Sequence, residues 1–270
     1  MQTLNRGLPD KQWVGRSFGQ AAERYDGLAG LQRCVADTLL NELFLRMAGL
    51  EPLTLVDVGA GTGYPTRRLR EHWRESRMVV LDLAEGMLQV ARRHLAEYQN
   101  VRYVCGDAEH LPLADGSADL IFTSLALQWC SHVPTALLEF HRVLKPGGRL
   151  AFSTFGPATL HELSSAWATV DGYTHVSHFP PEDQFHHTLD SVHWTEYTLN
   201  SDILNLKYPD VLALMRELKG LGARNMTHDR PRHLQGKSAW QRMVNAYPAS
   251  QDAEAISATF EIISGHSRKA

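Results

Sequence analysis

Short apolar runs alternate with stretches of helical spacing along the first half of the chain, the pattern of a parallel sheet covered by helices on both faces. Two helical segments, residues 11–25 and 30–48, come first. Strands are predicted at Leu55-Val56-Asp57-Val58 and at residues 78–81, 101–105, 119–124 and 149–154, with a last one at 259–264. Helices are predicted at 66–73 and 134–143, the second stopped by Leu144-Lys145-Pro146-Gly147-Gly148, where proline and paired glycines end a helix sharply. From 155 to 250 the alternation is interrupted by a helix (158–170), a proline-marked loop with a short helix (179–189), an alternating strand (193–206) and a helix (210–218) ending at Gly220 and Gly222. The predicted fold is α/β, a doubly wound, mostly parallel, Rossmann-like seven-stranded sheet. One domain is expected over 1–270: a helical lid (1–50), a cofactor-binding half (51–155), an insertion that carries substrate specificity (156–250) and a terminal strand (251–270).

The first strand breaks into Asp57-Val58-Gly59-Ala60-Gly61-Thr62-Gly63-Tyr64, a glycine-rich turn that lets the main chain pass under a nucleotide-like group with the next helix's N–H groups facing it. The dinucleotide pattern needs glycine where this chain has Tyr64, and an acid heads the turn. Both points favour S-adenosylmethionine over a nicotinamide dinucleotide. Asp82, at the end of the second strand, is placed to accept from both ribose hydroxyls. After the third strand, the Asp107 carboxylate can accept from an adenine amino group while the Ala108 N–H meets a ring nitrogen. One acid at a strand end is an ordinary turn residue; Asp57, Asp82 and Asp107 in succession are harder to read that way.

Composition narrows the class. The chain has 270 residues, 43% hydrophobic and 21% charged, enough for one sizeable core, and its net charge of −3 gives no global reason to expect nucleic acid. No apolar leader and no membrane-length span is apparent, so a soluble, cytoplasmic protein is expected. Three widely spaced cysteines indicate neither a disulfide framework nor a zinc knuckle. His175, His178, His186, His187 and His193 crowd a proline-rich stretch, but without a recognised ligand spacing, and no metal is expected. Over residues 207–242 the basic residues Lys207, Arg216, Lys219, Arg224, Arg230, Arg232, Lys237 and Arg242 face only Asp210, Glu217 and Asp229. A basic face on an acidic protein suits an acidic macromolecular partner, and equally a solvated helix surface.

Four segments carry a family resemblance. They are Phe18-Gly19-Gln20-Ala21-Ala22-Glu23-Arg24-Tyr25-Asp26 with Leu31-Gln32-Arg33, then Leu125-Ala126-Leu127-Gln128-Trp129-Cys130, Phe155-Gly156-Pro157-Ala158-Thr159-Leu160-His161-Glu162-Leu163, and Leu218-Lys219-Gly220-Leu221-Gly222-Ala223-Arg224-Asn225. In these the chain resembles the malonyl-acyl-carrier-protein O-methyltransferases of biotin synthesis, the BioC family, within the class I methyltransferase superfamily. Ala60 departs from the cysteine of many relatives but keeps a small side chain.

The resemblance implies methyl transfer from S-adenosylmethionine to the free carboxylate of a malonyl thioester, giving a methyl ester and S-adenosylhomocysteine, with malonyl-acyl carrier protein, or malonyl-CoA, as acceptor. It carries cofactor roles onto Gly59, Gly61, Gly63, Asp82, Asp107 and Ala108. Leu83 and Met87 would sandwich the purine, with Leu125 beside them, and Phe18 and Tyr25 would close over the cofactor. Gln128, Trp129, Lys219 and Asn225 are candidates around the malonyl carboxylate. That carboxylate is already ionised at neutral pH, so no general base is required. A methyltransferase for another small acid or quinone precursor, a nucleotide-dependent oxidoreductase and a non-catalytic S-adenosylmethionine-binding protein are the alternatives.

Overall fold

In a computed structural model, which describes residues 8–223, 236–248 and 255–270, seven strands form one sheet. They are β1 (Thr54–Val58), β2 (Arg77–Asp82), β3 (Val101–Cys105), β4 (Ala118–Ser124), β5 (Leu144–Phe155), β6 (Trp194–Tyr208) and β7 (Ile256–Lys269), in the spatial order β3-β2-β1-β4-β5-β7-β6. The first five are parallel neighbours, and β7 runs antiparallel between β5 and β6. The doubly wound, mostly parallel sheet is therefore the observed fold. The order reverses at β1 and β4, and ligands of such sheets bind at the carboxyl ends of the strands beside that switch point.

The helices are α1 (Lys11–Tyr25), α2 (Gly30–Arg46), α3 (Tyr64–His72), α4 (Glu85–His94), α5 (Val133–Val143), α6 (His161–Ala168), α7 (Glu182–Asp190), α8 (Val211–Leu221) and α9 (Lys237–Ala246). On one face of the sheet Leu39, Leu40 and Leu43 of α2 pack with Leu55, Leu69, Trp73 and Phe122. On the other, Ala136, Leu137, Phe140 and Val143 of α5 meet Val56, Ile121 and Phe152. Among the described residues no helix is long and apolar enough to cross a membrane.

Several boundaries differ from the sequence reading. α3 starts at Tyr64, not at 66, because Gly63 caps it in the left-handed region (φ 89°) and Pro65, which has no N–H to lose, fits the first turn. The Leu144–Gly148 segment is the start of β5 as well as the stop of α5, with Leu144 paired to Ala118. α8 runs through Gly220 to Leu221 and is closed by Gly222 at φ 80°. β7 is far longer than 259–264, because residues 265–268 are held between β5 and β6. α4 and α9, absent from the sequence reading, have no side-chain hydrogen bond at their N-caps.

α1 lies across the carboxyl edge of the sheet. Asp10 caps it by accepting from Trp13 N at 3.2 Å. It comes so close to α4 that a Cβ on Gly86 would lie 2.7 Å from the Gly19 carbonyl oxygen. Ser17 Oγ donates to Gly222 O at 2.9 Å and Arg24 Nε to Gly220 O at 3.1 Å, so the same helix is also tied to the end of α8.

Candidate active site

The glycine turn is shaped by its neighbours. Gly59 (φ 71°) donates to Leu81 O at 2.8 Å, and a Cβ there would stand 2.3 Å from the Ala126 Cβ, so only glycine fits. Gly61 (φ 56°) has open space where a side chain would be and donates its N–H to Asp82 Oδ2 at 2.9 Å. Asp82 Oδ1 accepts from Ala84 N at 2.8 Å. Burial pushes the Asp82 carboxyl up to about 6, against these backbone donors, which favour the ion. At β1, burial and the Asp82 charge push Asp57 up to about 7 while Thr66 Oγ1 donates to it at 2.5 Å.

Phe18, Tyr25, Gly59, Gly61, Asp82, Leu83, Met87, Asp107, Ala108 and Leu125 line one cavity under α1, so ten of the predicted cofactor residues come together. Two do not. Asp57 is 1% exposed behind the turn, where it braces Thr66, and Gly63 caps α3 against Ala91 and Leu95 of α4. Both shape the turn from outside the cavity.

Lys11 is a wall residue that sequence reasoning missed, since a single lysine in a first helical turn carries no signal. Its ammonium pairs with Asp107 and Glu109, while the Glu109 carboxylate also accepts from Ser131 N at 2.9 Å and His132 N at 2.8 Å. Burial alone would lower the Lys11 value, but the two carboxylates outweigh it and raise it. With α1 clasped in this way the cavity beneath it is a slot of about 100 Å³.

Trp129 separates this slot from a second cavity of about 720 Å³ and lines both. The turn that presents it is strained: Leu125, a non-glycine residue, has φ 50°. Gln128 secures the turn, donating from Nε2 to Leu125 O at 2.6 Å and accepting at Oε1 from Thr154 Oγ1 at 3.3 Å. Both ends of its amide are thus occupied, and it lines neither cavity, contrary to its predicted place beside a carboxylate. Lys219 lines the second cavity with Arg216, Gln32, His175 and six aromatic residues, of which Trp167, Phe179 and Trp240 belong to the insertion. Asn225, with Arg224, Arg230 and Arg232, lies outside the described residues.

The nearby titratable groups give no sign of a second chemistry. Burial pushes the Cys130 thiol far up, with the Glu109 charge adding to it, so the thiolate is disfavoured. Burial likewise raises the Tyr25 hydroxyl, reinforced by Asp82 and Asp26. His175 bonds Asp171 and His186 lies near Tyr197; among the described residues no group of three His, Cys, Asp or Glu side chains is arranged to hold a metal ion.

The slot fits S-adenosylmethionine in kind: a glycine cradle that a Cβ would fill, the buried Asp82 carboxylate beside it and an apolar pair, Leu83 and Met87, on the same wall. Comparison with known proteins agrees. Residues 56–152 match the methyltransferase domain family. The YcgJ protein of Bacillus subtilis shares the fold at a TM-score of 0.61, with 18% identity across 86% of this chain and 98% of that one. The biotin biosynthesis bifunctional protein BioHC of Cellvibrio japonicus is 40% identical over 94% of this chain, which corresponds to 49% of that protein. The malonyl-acyl-carrier-protein O-methyltransferase of Methylococcus capsulatus is 48% identical over 256 residues, 94% of this chain and 92% of its own length. Identity at that level over almost the whole of both chains reaches past the shared superfamily fold to one enzyme family, and the chain belongs to the malonyl-acyl-carrier-protein O-methyltransferases.

Proposed function

We propose that this enzyme methylates the free carboxylate of a malonyl thioester carried on acyl carrier protein, an early step towards the pimelate part of biotin. The observation that carries the reading is the position of Trp129 on the wall shared by the two cavities. A cofactor in the slot and an acceptor in the larger cavity would meet only there.

Bound S-adenosylmethionine supplies an electrophilic sulfonium methyl, which passes to a carboxylate oxygen and leaves S-adenosylhomocysteine. Asp82 would take the ribose hydroxyls, Asp107 and the Ala108 N–H the adenine edge, Leu83 and Met87 its faces, and Phe18 with Tyr25 would cover the sulfonium end. The rest of the task is positioning. A malonyl carboxylate is ionised at neutral pH, so no protein base has to move a proton. Holding the two reactants in line can contribute about 7–11 kcal/mol, and aromatic walls keep water out. A tight ion pair would damp the attacking oxygen. The Trp129 indole N–H makes no hydrogen bond among the described residues and is a neutral donor at the junction, while Lys219, farther along the acceptor wall, is an offset cation.

The basic residues between 207 and 242 would receive the acidic carrier, residues 1–50 act as lid and 156–250 as acceptor module, in a cytoplasmic enzyme. Incubation with methyl-labelled S-adenosylmethionine and malonyl-carrier protein or malonyl-CoA tests the proposal: a base-labile methyl ester on the malonyl group is expected. A folded, cofactor-binding protein that labels neither thioester would overturn it.

A further inference from the structure

The first turn of α1 is tied to two loops at the carboxyl edge of the sheet. One follows β3 and carries Asp107 and Glu109; the other follows Trp129 and carries Ser131 and His132. Glu109, whose side chain is 6% exposed, joins the loops by accepting from Ser131 N and His132 N. Lys11 Nζ then bridges Glu109 to Asp107. With Glu109 anchored from behind, the ammonium has a fixed place from which to hold the second carboxylate.

Asp107 needs such a hold. Its side chain is 28% exposed, and its own turn secures only one oxygen. Oδ1 accepts from Glu109 N at 3.0 Å, whereas Oδ2 has Lys11 as its one partner among the described residues. A carboxylate has about four acceptor directions, so these two bonds leave capacity for a ligand. Asp107 and Lys11 both line the slot under α1. Without the ammonium, Oδ2 would turn to water. With it, the carboxylate keeps one bearing on the slot, and an acceptor already in place costs little ordering when a ligand N–H arrives.

We propose that Lys11 is a positioning residue for adenine: it holds the Asp107 carboxylate towards the slot and so sets the preference for a purine that carries an amino group. This rests on the reading of Asp107 as the adenine acceptor. Lys11 also belongs to α1, and an ion pair that did no more than hold the helix down would help every ligand of the slot alike.

Calorimetry with S-adenosylhomocysteine and with its 6-deamino analogue, in which hydrogen replaces the purine amino group, tests this without turnover. Wild-type protein should prefer the amino-bearing ligand about tenfold or more, the scale of one hydrogen bond to a charged group. Lys11→Met should lose most of that preference, binding S-adenosylhomocysteine about tenfold more weakly and the analogue nearly as well as before. Lys11→Arg keeps the cation and should keep the preference. Lys11→Gln stands in if Lys11→Met does not fold. Equal losses on both ligands would reduce Lys11 to a fastening of α1 and overturn the proposal, as would a preference that stays or grows once the ammonium is gone. A wild-type protein that binds both ligands equally would instead remove Asp107 from the adenine site, and the proposal with it.

Discussion

Phe18 and Trp129 meet edge to face with ring centroids 5.2 Å apart, which joins α1, over the smaller cavity, to the wall of the larger one. An aromatic pair of this geometry contributes about 0.5–1.5 kcal/mol beyond its buried area. A cycle built from Phe18→Leu, Trp129→Leu and the double variant should show coupling of that size in kcat/KM for the malonyl acceptor. Strictly additive losses would make the contact incidental. Trp129→Leu alone should lower acceptor turnover more than cofactor affinity, because among the described residues Trp129 alone lines both cavities and the indole stands at their junction.

Asp82→Ala should weaken S-adenosylmethionine binding about ten- to a hundredfold, the scale of one or two hydrogen bonds to a charged group. Part of that loss belongs to the turn, since Asp82 also accepts from Gly61 N and Ala84 N. Calorimetry on the folded variant measures it; unchanged affinity would remove Asp82 from the site.

Two buried acids make the enzyme sensitive to pH in opposite senses. Asp57 sits at about 7 and Asp82 at about 6, both raised by burial, so each favours the folded state when protonated. Their contribution to stability is complete below about pH 4, near the unfolded carboxylate value, and is lost as pH rises through about 6 to 7. Cofactor affinity runs the other way, because Asp82 must be ionised to accept from two ribose hydroxyls: it should strengthen from about pH 5 to 7 and then level off. Methyl transfer in single turnovers at saturation should stay nearly flat between about pH 6 and 8. A tenfold rise tied to one ionisation would mean that a base takes part.

Gly86→Ala drives a Cβ into the backbone of Gly19 and must push α1 away from α4. Overpacking of this kind costs about 1–3 kcal/mol, which should appear as a lower urea midpoint. Weaker cofactor binding should accompany it, because α1 supplies Phe18 and Tyr25 to the slot. A stable variant with undiminished affinity would show that α1 docks elsewhere.

Arg230→Glu combined with Arg232→Glu should lower kcat/KM for malonyl-carrier protein several-fold while having much less effect on malonyl-CoA. Steering of an acidic carrier by a basic face weakens with salt, over a screening length of about 8 Å at physiological ionic strength. Equal losses on both acceptors, or none, would mean that the docking face lies elsewhere.

What is legible in the sequence is what is local along it. A strand, a glycine turn and a helix occupy consecutive residues, so the order of residues alone puts Gly59, Gly61 and Asp82 at one sheet edge, and the alternation of strands and helices predicts the doubly wound sheet. α4 and α9 go unread, and the missing N-cap bond is not the reason, since α2, α3 and α5 lack one as well and are predicted. Contacts between distant segments are left to the tertiary structure. Lys11 closes on Asp107 across 96 positions and Ser17 on Gly222 across 205, and no local pattern encodes such pairs. The wall of the larger cavity joins Gln32 of α2 to Trp129, His175 and Lys219, which lie far apart in the sequence and meet only in the folded chain. Gln128 shows the limit most clearly. Its amide suits a carboxylate as well as it suits a backbone carbonyl, and only the packing of β4 and β5, which brings Thr154 within reach while Leu125 bends into the left-handed region, decides that both ends of it are spent inside the protein.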